Sequence, residues 1–156
     1  MKINIKALIT SIAIPLIIGF LSGFLSGDSR AVFDSLNQPP LSPPGWLFPI
    51  VWTILFILMG ISSYLIFTSS ATNLQIKSAL TVYSLQLLVN FLWPIFFFKF
   101  GLYRFSFVWI LLLLFVIIMT IKKFKPISKS AAYLLIPYLL WVCFAAYLNL
   151  GIILLN

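Results

Sequence analysis

The stretch from Pro39 to Tyr64, PPLSPPGWLFPIVWTILFILMGISSY, decides how the whole chain is read. Pro39, Pro40, Pro43 and Pro44 cannot lie inside a helix, because each lacks an amide donor and restricts the residue before it. After Gly45 and Trp46 the pattern turns helical, with Pro49 near the first turn, where a missing N–H costs little. Trp52, Phe56 and Ser63 then recur at spacings of four and seven, so they share one helical face. A stiff proline loop feeding directly into a tryptophan-bearing helix predicts a lid fixed over a pocket. Trp46 also suits the aromatic belt at a membrane surface. Trp52 lies about 9 Å deeper at the usual helical rise, where that belt explains it less well.

Composition sets the class. At 63% hydrophobic and 8% charged, the chain has too little polar surface to cover a soluble globule, since soluble domains carry about 25% charged residues. The expected fold is an all-α integral membrane protein, one domain over residues 1–156, built as a bundle of five transmembrane helices. The net charge of +8 comes from basic residues in short loops beside apolar runs. That distribution reads as a positive-inside bias, so the expected partner is a lipid bilayer and not nucleic acid. There is no histidine, and Asp28 and Asp34 are the only acids. Ser–His–Asp and Cys–His catalysis, paired-carboxylate hydrolysis inside a bundle and a histidine metal site are thereby excluded. No metal or cofactor is expected, and chemistry falls to aromatic rings, amides, hydroxyls and backbone. Cys143, the single cysteine, stands in an apolar run and is expected to pack as an apolar side chain.

Apolar runs long enough to cross a bilayer place the spans at approximately 7–27, 46–67, 78–98, 105–121 and 130–154. The first run also resembles a signal peptide, with Ser22–Gly23 as a cleavage site, but its length favours a retained helix. Gly19, Gly23 and Gly27 line a groove that would admit another helix closely. Residues 28–42 read as a loop and SSATNLQ (69–75) as a polar turn. Gln86, Asn90, Trp93 and Phe97 step by four, three and four, placing two amides and two rings on one face. Buried amides need partners in a bilayer, so this face looks into the bundle or at a ligand. Interhelical hydrogen bonding without a ligand is the alternative. Pro137 is expected to kink the last helix, along which Pro137, Trp141, Ala145 and Asn149 share a stripe. Lys2, Lys6, Lys77, Lys122, Lys123, Lys125 and Lys129 fall at one end of the spans, against Arg30, Lys99 and Arg104 at the other. The chain is therefore expected in the cell membrane, with a cytoplasmic N-terminus and with the proline loop and C-terminus outside.

Taken together, these residues resemble the translocator protein family, also called tryptophan-rich sensory protein (TspO) or peripheral-type benzodiazepine receptor, in its bacterial form. The likeness runs through Phe33, Leu36 and Pro39, the Pro-Pro-Gly-Trp at 43–46, and Pro49, Val51, Trp52, Met59, Gly60, Ser63 and Tyr64. It continues in Gln86, Asn90, Trp93, Pro94, Phe97 and Phe98, and in PYLLWVCFAAYLN from Pro137 to Asn149. The resemblance implies a five-helix bundle, often a homodimer, with a pocket beneath the first loop that binds porphyrins and isoquinoline carboxamides. Some bacterial members promote light-dependent breakdown of protoporphyrin IX through two pocket tryptophans, which correspond to Trp52 and Trp141. Asn90, Trp93, Phe97, Ala145 and Leu148 match lining positions, and Phe33 matches an aromatic of the lid. Leu41 replaces a usual tryptophan, Val108–Trp109 replaces a common Val-Asp, and Thr81 and Leu85 replace a glycine-rich dimer motif. The sterol pattern of animal members, Tyr and a basic residue after Asn149, is missing.

The expected function is binding of a tetrapyrrole such as protoporphyrin IX, with light- and oxygen-dependent degradation at Trp52 and Trp141. The candidate ligand contacts are Phe33, Pro43, Pro44, Trp46, Trp52 and Phe56 in the first half of the chain. In the second half they are Gln86, Asn90, Trp93, Phe97, Trp141, Ala145 and Leu148. Metal-free porphyrin is favoured over haem because no histidine is available as an axial ligand. Passive translocation of tetrapyrroles or other lipophiles is the alternative. Ion-coupled transport has no support, because no ionisable residue lies inside a span.

Overall fold

The computed structural model describes residues 3–156, so Lys2 of the basic N-terminal end lies outside it. Helix α1 (Ile5–Leu25) begins where Asn4 Oδ1 accepts from the Ala7 amide at 3.1 Å. It ends two residues before the expected boundary, because Gly27 takes a left-handed φ of +78° and turns the chain. Residues 28–42 are not wholly a loop. Ser29–Ser35 form a short helix, α2, capped by Asp28, whose carboxylate accepts from the Ala31 amide at 3.0 Å.

Helix α3 (Leu47–Phe67) matches its expected bounds within a residue. Helix α4 (Asn73–Pro94) starts inside the supposed polar turn, because Thr72 and Gln75 form a reciprocal capping box there. Pro94 ends its regular hydrogen bonding, and one wider π-type turn, Ile95–Lys99, completes the span. Helix α5 (Tyr103–Phe124) is longer at both ends than the apolar run, since Tyr103, Arg104 and the terminal lysines are helical too. The last span is two pieces, α6 (Lys129–Leu134) and α7 (Ile136–Leu155), broken at Leu135. Pro137 sits in the first turn of α7 and cannot donate backwards, so the break falls before the proline and replaces the expected kink.

Five helical segments are long and apolar enough to cross a membrane: Ile5–Leu25, Leu47–Phe67, Asn73–Lys99, Tyr103–Phe124 and Lys129–Leu155. Helix α5 packs between α4 and α7, while α1 lies along α3. The main core, with Met59, Ile66, Ile117, Phe124 and Val142 fully enclosed, fills the space between α3, α4, α5 and the last span. Gly60 allows the close approach of α1 and α3, since a Cβ there would meet the Ile12 backbone and lie 2.7 Å from Ser11 O. The expected glycine groove on α1 is mostly unused. Only Gly19 is filled, by the Phe56 ring, and a Cβ on Gly23 would meet nothing. Cys143 is exposed on the outer surface of α7 and is not packed.

Candidate functional site

A second small core sets the site. Phe33 on α2 is 4% exposed and packs with Phe97 and Ile152, flanked by Leu36, Phe48, Trp93, Phe98 and Tyr103. The first loop is thus anchored through one ring driven between α3, the π-turn and α7. Phe33 and Phe48 meet edge to face at 5.0 Å, and Phe48 meets Trp141 at 5.9 Å. Such pairs add about 0.5–1.5 kcal/mol beyond burial alone.

Beneath this anchor lies a cavity of about 790 Å³. Helix α3 contributes Phe48, Pro49, Trp52, Thr53 and Phe56, and α4 contributes Asn90, Phe91, Trp93 and Pro94. The π-turn adds Phe97 and Phe98, and α7 adds Trp141, Ala145, Leu148, Asn149 and Ile152. From α1 come Ser22, Gly23 and Ser26, and from the lid Ser29, Arg30, Phe33, Gly45 and Trp46. Exposed Phe20, Phe24 and Thr53 also line it, so the space reaches the outer face of the bundle between α1 and α3.

The walls are rigid because their rings and amides hold one another. Trp52 stacks on Phe56 at 5.4 Å and Trp93 on Phe97 at 5.1 Å, as their helical spacings require. Asn90 Nδ2 donates to the Tyr138 hydroxyl at 2.9 Å, and that hydroxyl donates to Gln86 Oε1 at 2.7 Å. Trp93 Nε1 donates to Asn149 Oδ1 at 3.3 Å, and Asn149 Nδ2 donates to Tyr103 O at 2.9 Å. On the α4 amide face, Asn90 lines the cavity and also bonds across the bundle. Trp141 Nε1 is buried and, among the described residues, has no hydrogen-bond partner. A buried donor left without an acceptor costs about 1–3 kcal/mol.

Of the thirteen candidate contacts, Phe33, Trp46, Trp52, Phe56 and Asn90 line the cavity, as do Trp93, Phe97, Trp141, Ala145 and Leu148. Pro43, Pro44 and Gln86 do not. Gln86 sits behind Asn90, one turn further into the core, and is 1% exposed. The two prolines shape the lid without reaching under it. Residues not anticipated include Phe48 and Ile152, whose faces no motif marked, and the α1 wall, which carries no aromatic–amide pattern. Arg30 was legible only as a loop charge.

Comparison with known sequences agrees with this architecture. The TspO/MBR family matches residues 11–155. The tryptophan-rich protein TspO of Chlorobaculum tepidum is 36% identical over 157 residues, covering 100% of this chain and 99% of that one. Tryptophan-rich protein TspO of Archaeoglobus fulgidus is 37% identical over 155 residues, covering 98% and 99%. Translocator protein of Ovis aries is 35% identical over 133 residues, covering 84% and 79%. With five membrane-crossing segments and a family match over nearly its whole length, the chain is a multi-pass membrane protein of the TspO/MBR family.

Proposed function

We propose that the protein is a receptor-like membrane protein that binds tetrapyrroles, protoporphyrin IX being the model ligand, and promotes their degradation in light and oxygen. The observation that carries this reading is the aromatic cavity. Its volume of about 790 Å³ lies in the range of roughly 300–1,000 Å³ typical of small-molecule sites, and rings from α3, α4, the π-turn and α7 line it. A flat apolar macrocycle suits such walls, where burial and offset stacking provide affinity.

Trp52 and Trp141 act as electron donors in this reading. A photo-excited porphyrin takes one electron from an indole and passes it to dioxygen as superoxide. The indole radical cation then regains an electron from the porphyrin, and the porphyrin radical cation so formed combines with superoxide, so both oxygen atoms enter the macrocycle and the indole is restored. No group in the cavity lining serves as a general base near neutral pH, so the chemistry is photo-oxidative and not acid–base turnover. Trp52→Phe and Trp141→Phe keep an apolar ring but remove the donor. Porphyrin should still bind to each within about tenfold, or 1.4 kcal/mol, while illumination no longer converts it. Degradation as fast as in the parent would reduce both indoles to packing.

A passive translocator of tetrapyrroles or other lipophiles is the second reading, favoured by the opening of the cavity past Phe20, Phe24 and Thr53. Flux of porphyrin between vesicles separates it from the first. We also propose a cytoplasmic N-terminus. Lys6, Lys77, Lys122, Lys123, Lys125 and Lys129 all flank helix ends on one side of the bundle, opposite Arg30, Lys99 and Arg104.

A further inference from the structure

The cavity carries one charge, and its position names the other end of the ligand. Among the described residues Arg30 is the only charged side chain in the lining; no acid faces the space. Resting on the tetrapyrrole reading, we infer that Arg30, with Ser29 beside it, forms a carboxylate subsite at the mouth of the cavity. The pocket is then built for amphipathic acids: a broad apolar body between the aromatic walls and one or more carboxylates at the lip.

Three independent features hold Arg30 there. Phe33 is the buried anchor of α2, and Arg30 lies three residues before it, on the same helical face. The rotation that seats Phe33 over the cavity therefore turns Arg30 toward its mouth. Asp28 caps the same helix, tying its first turn in place. Gly45 makes room across the loop: a Cβ there would lie 2.9 Å from Arg30 Cγ and 3.3 Å from Asp34 Oδ1. A side chain at position 45 would push the arginine stem off the lid.

The guanidinium is available. Its partner, Asp34, stands 3.9 Å away, and the two side chains are 65% and 55% exposed. Exposed pairs of this kind hold weakly, whereas a ligand carboxylate offers short, bidentate, charge-assisted bonds. Deeper in the cavity nothing could neutralise an anion. The polar side chains there, Ser22, Ser26, Thr53, Asn90, Trp93 and Asn149, carry no charge and already donate to other groups of the bundle. A carboxylate at the mouth also stays at the end of the spans, avoiding the cost of a charge inside the bilayer.

The test uses the purified full chain in the dark, with tryptophan quenching by protoporphyrin IX and by its dimethyl ester. The parent should bind the free acid about tenfold more tightly than the ester, and the preference should shrink as salt rises. Arg30→Gln should bind acid and ester alike, and Arg30→Lys should recover most of the preference. If the parent binds both equally, or Arg30→Gln keeps the preference, the subsite is overturned while the tetrapyrrole reading stands. If the parent binds neither, both fall.

Discussion

At the scale of single residues, Tyr138 holds more of the site than its place behind the wall suggests. Its hydroxyl is 2.9 Å from Asn90 Nδ2 and 2.7 Å from Gln86 Oε1, joining two amides of α4 to α7. Gln86 Nε2 has no partner among the described residues, so this network has little slack. Tyr138→Phe would leave Gln86 without a hydrogen bond and free Asn90, which faces the cavity. Interhelical hydrogen bonds in bilayers contribute about 0.6–1.7 kcal/mol. A loss of about 1–2 kcal/mol is therefore expected, read as a lower unfolding midpoint in detergent. An unchanged midpoint would mean that water or lipid replaces the hydroxyl. Leu41, where the family usually has tryptophan, is the one described non-glycine residue at positive φ (+66°) and is 86% exposed. A side chain so turned out of the lid takes no part in the cavity.

Among the elements, the lid behaves as part of the last helix. The Tyr147 hydroxyl donates to Pro40 O at 2.7 Å. The Asn37 amide donates to Asn156 Oδ1 at 3.0 Å, and Asn156 Nδ2 returns a bond to Asn37 O at 2.9 Å. Between these, Gly151 is the seat of Pro39, whose Cβ and Cγ lie 2.5 Å from where a glycine Cβ would stand. Pro39 and Pro40 dock the loop, leaving Pro43 and Pro44 as stiff spacers that lower its ordering cost. Gly151→Val should lift Pro39 off α7 and weaken porphyrin binding by about three- to tenfold, roughly 1 kcal/mol, mainly through faster dissociation in stopped-flow fluorescence. The bundle core, remote from Gly151, should unfold at nearly the parent temperature. A dissociation rate equal to the parent's would show that the lid does not need this seat.

For the molecule as a whole, the claim most open to direct measurement is its orientation. Basic side chains flank one set of helix ends, and positive residues are retained on the cytoplasmic side of membrane proteins. Because Cys143 is exposed toward lipid, labelling should start from Cys143→Ser. A membrane-impermeant thiol reagent added outside intact cells should then modify a cysteine at Asn37 and spare one at Lys125. The opposite pattern would invert the protein. In the proposed orientation Arg30 and the lid would lie at the outer interface, with the aromatic walls below them.

The sequence by itself determined the class, the five spans and the inward faces of α3, α4 and α7. Those depend on run length, absence of charge and helical period, all of which are local. Period also sufficed to pair Trp52 with Phe56 and Trp93 with Phe97. Only the tertiary structure decided that Gln86 lies behind Asn90 instead of beside it, because a period names a face but not how far round a neighbouring helix covers it. Only the tertiary structure put Arg30 at the mouth, since the short helix α2 owes its rotation to Phe33 packing against Phe97 and Ile152. The lid was legible as stiff, but its seat on Gly151 and its bonds to Tyr147 and Asn156 join residues more than a hundred positions apart. No local pattern encodes such contacts; they exist once five helices have packed and brought the first loop onto the C-terminal end of α7.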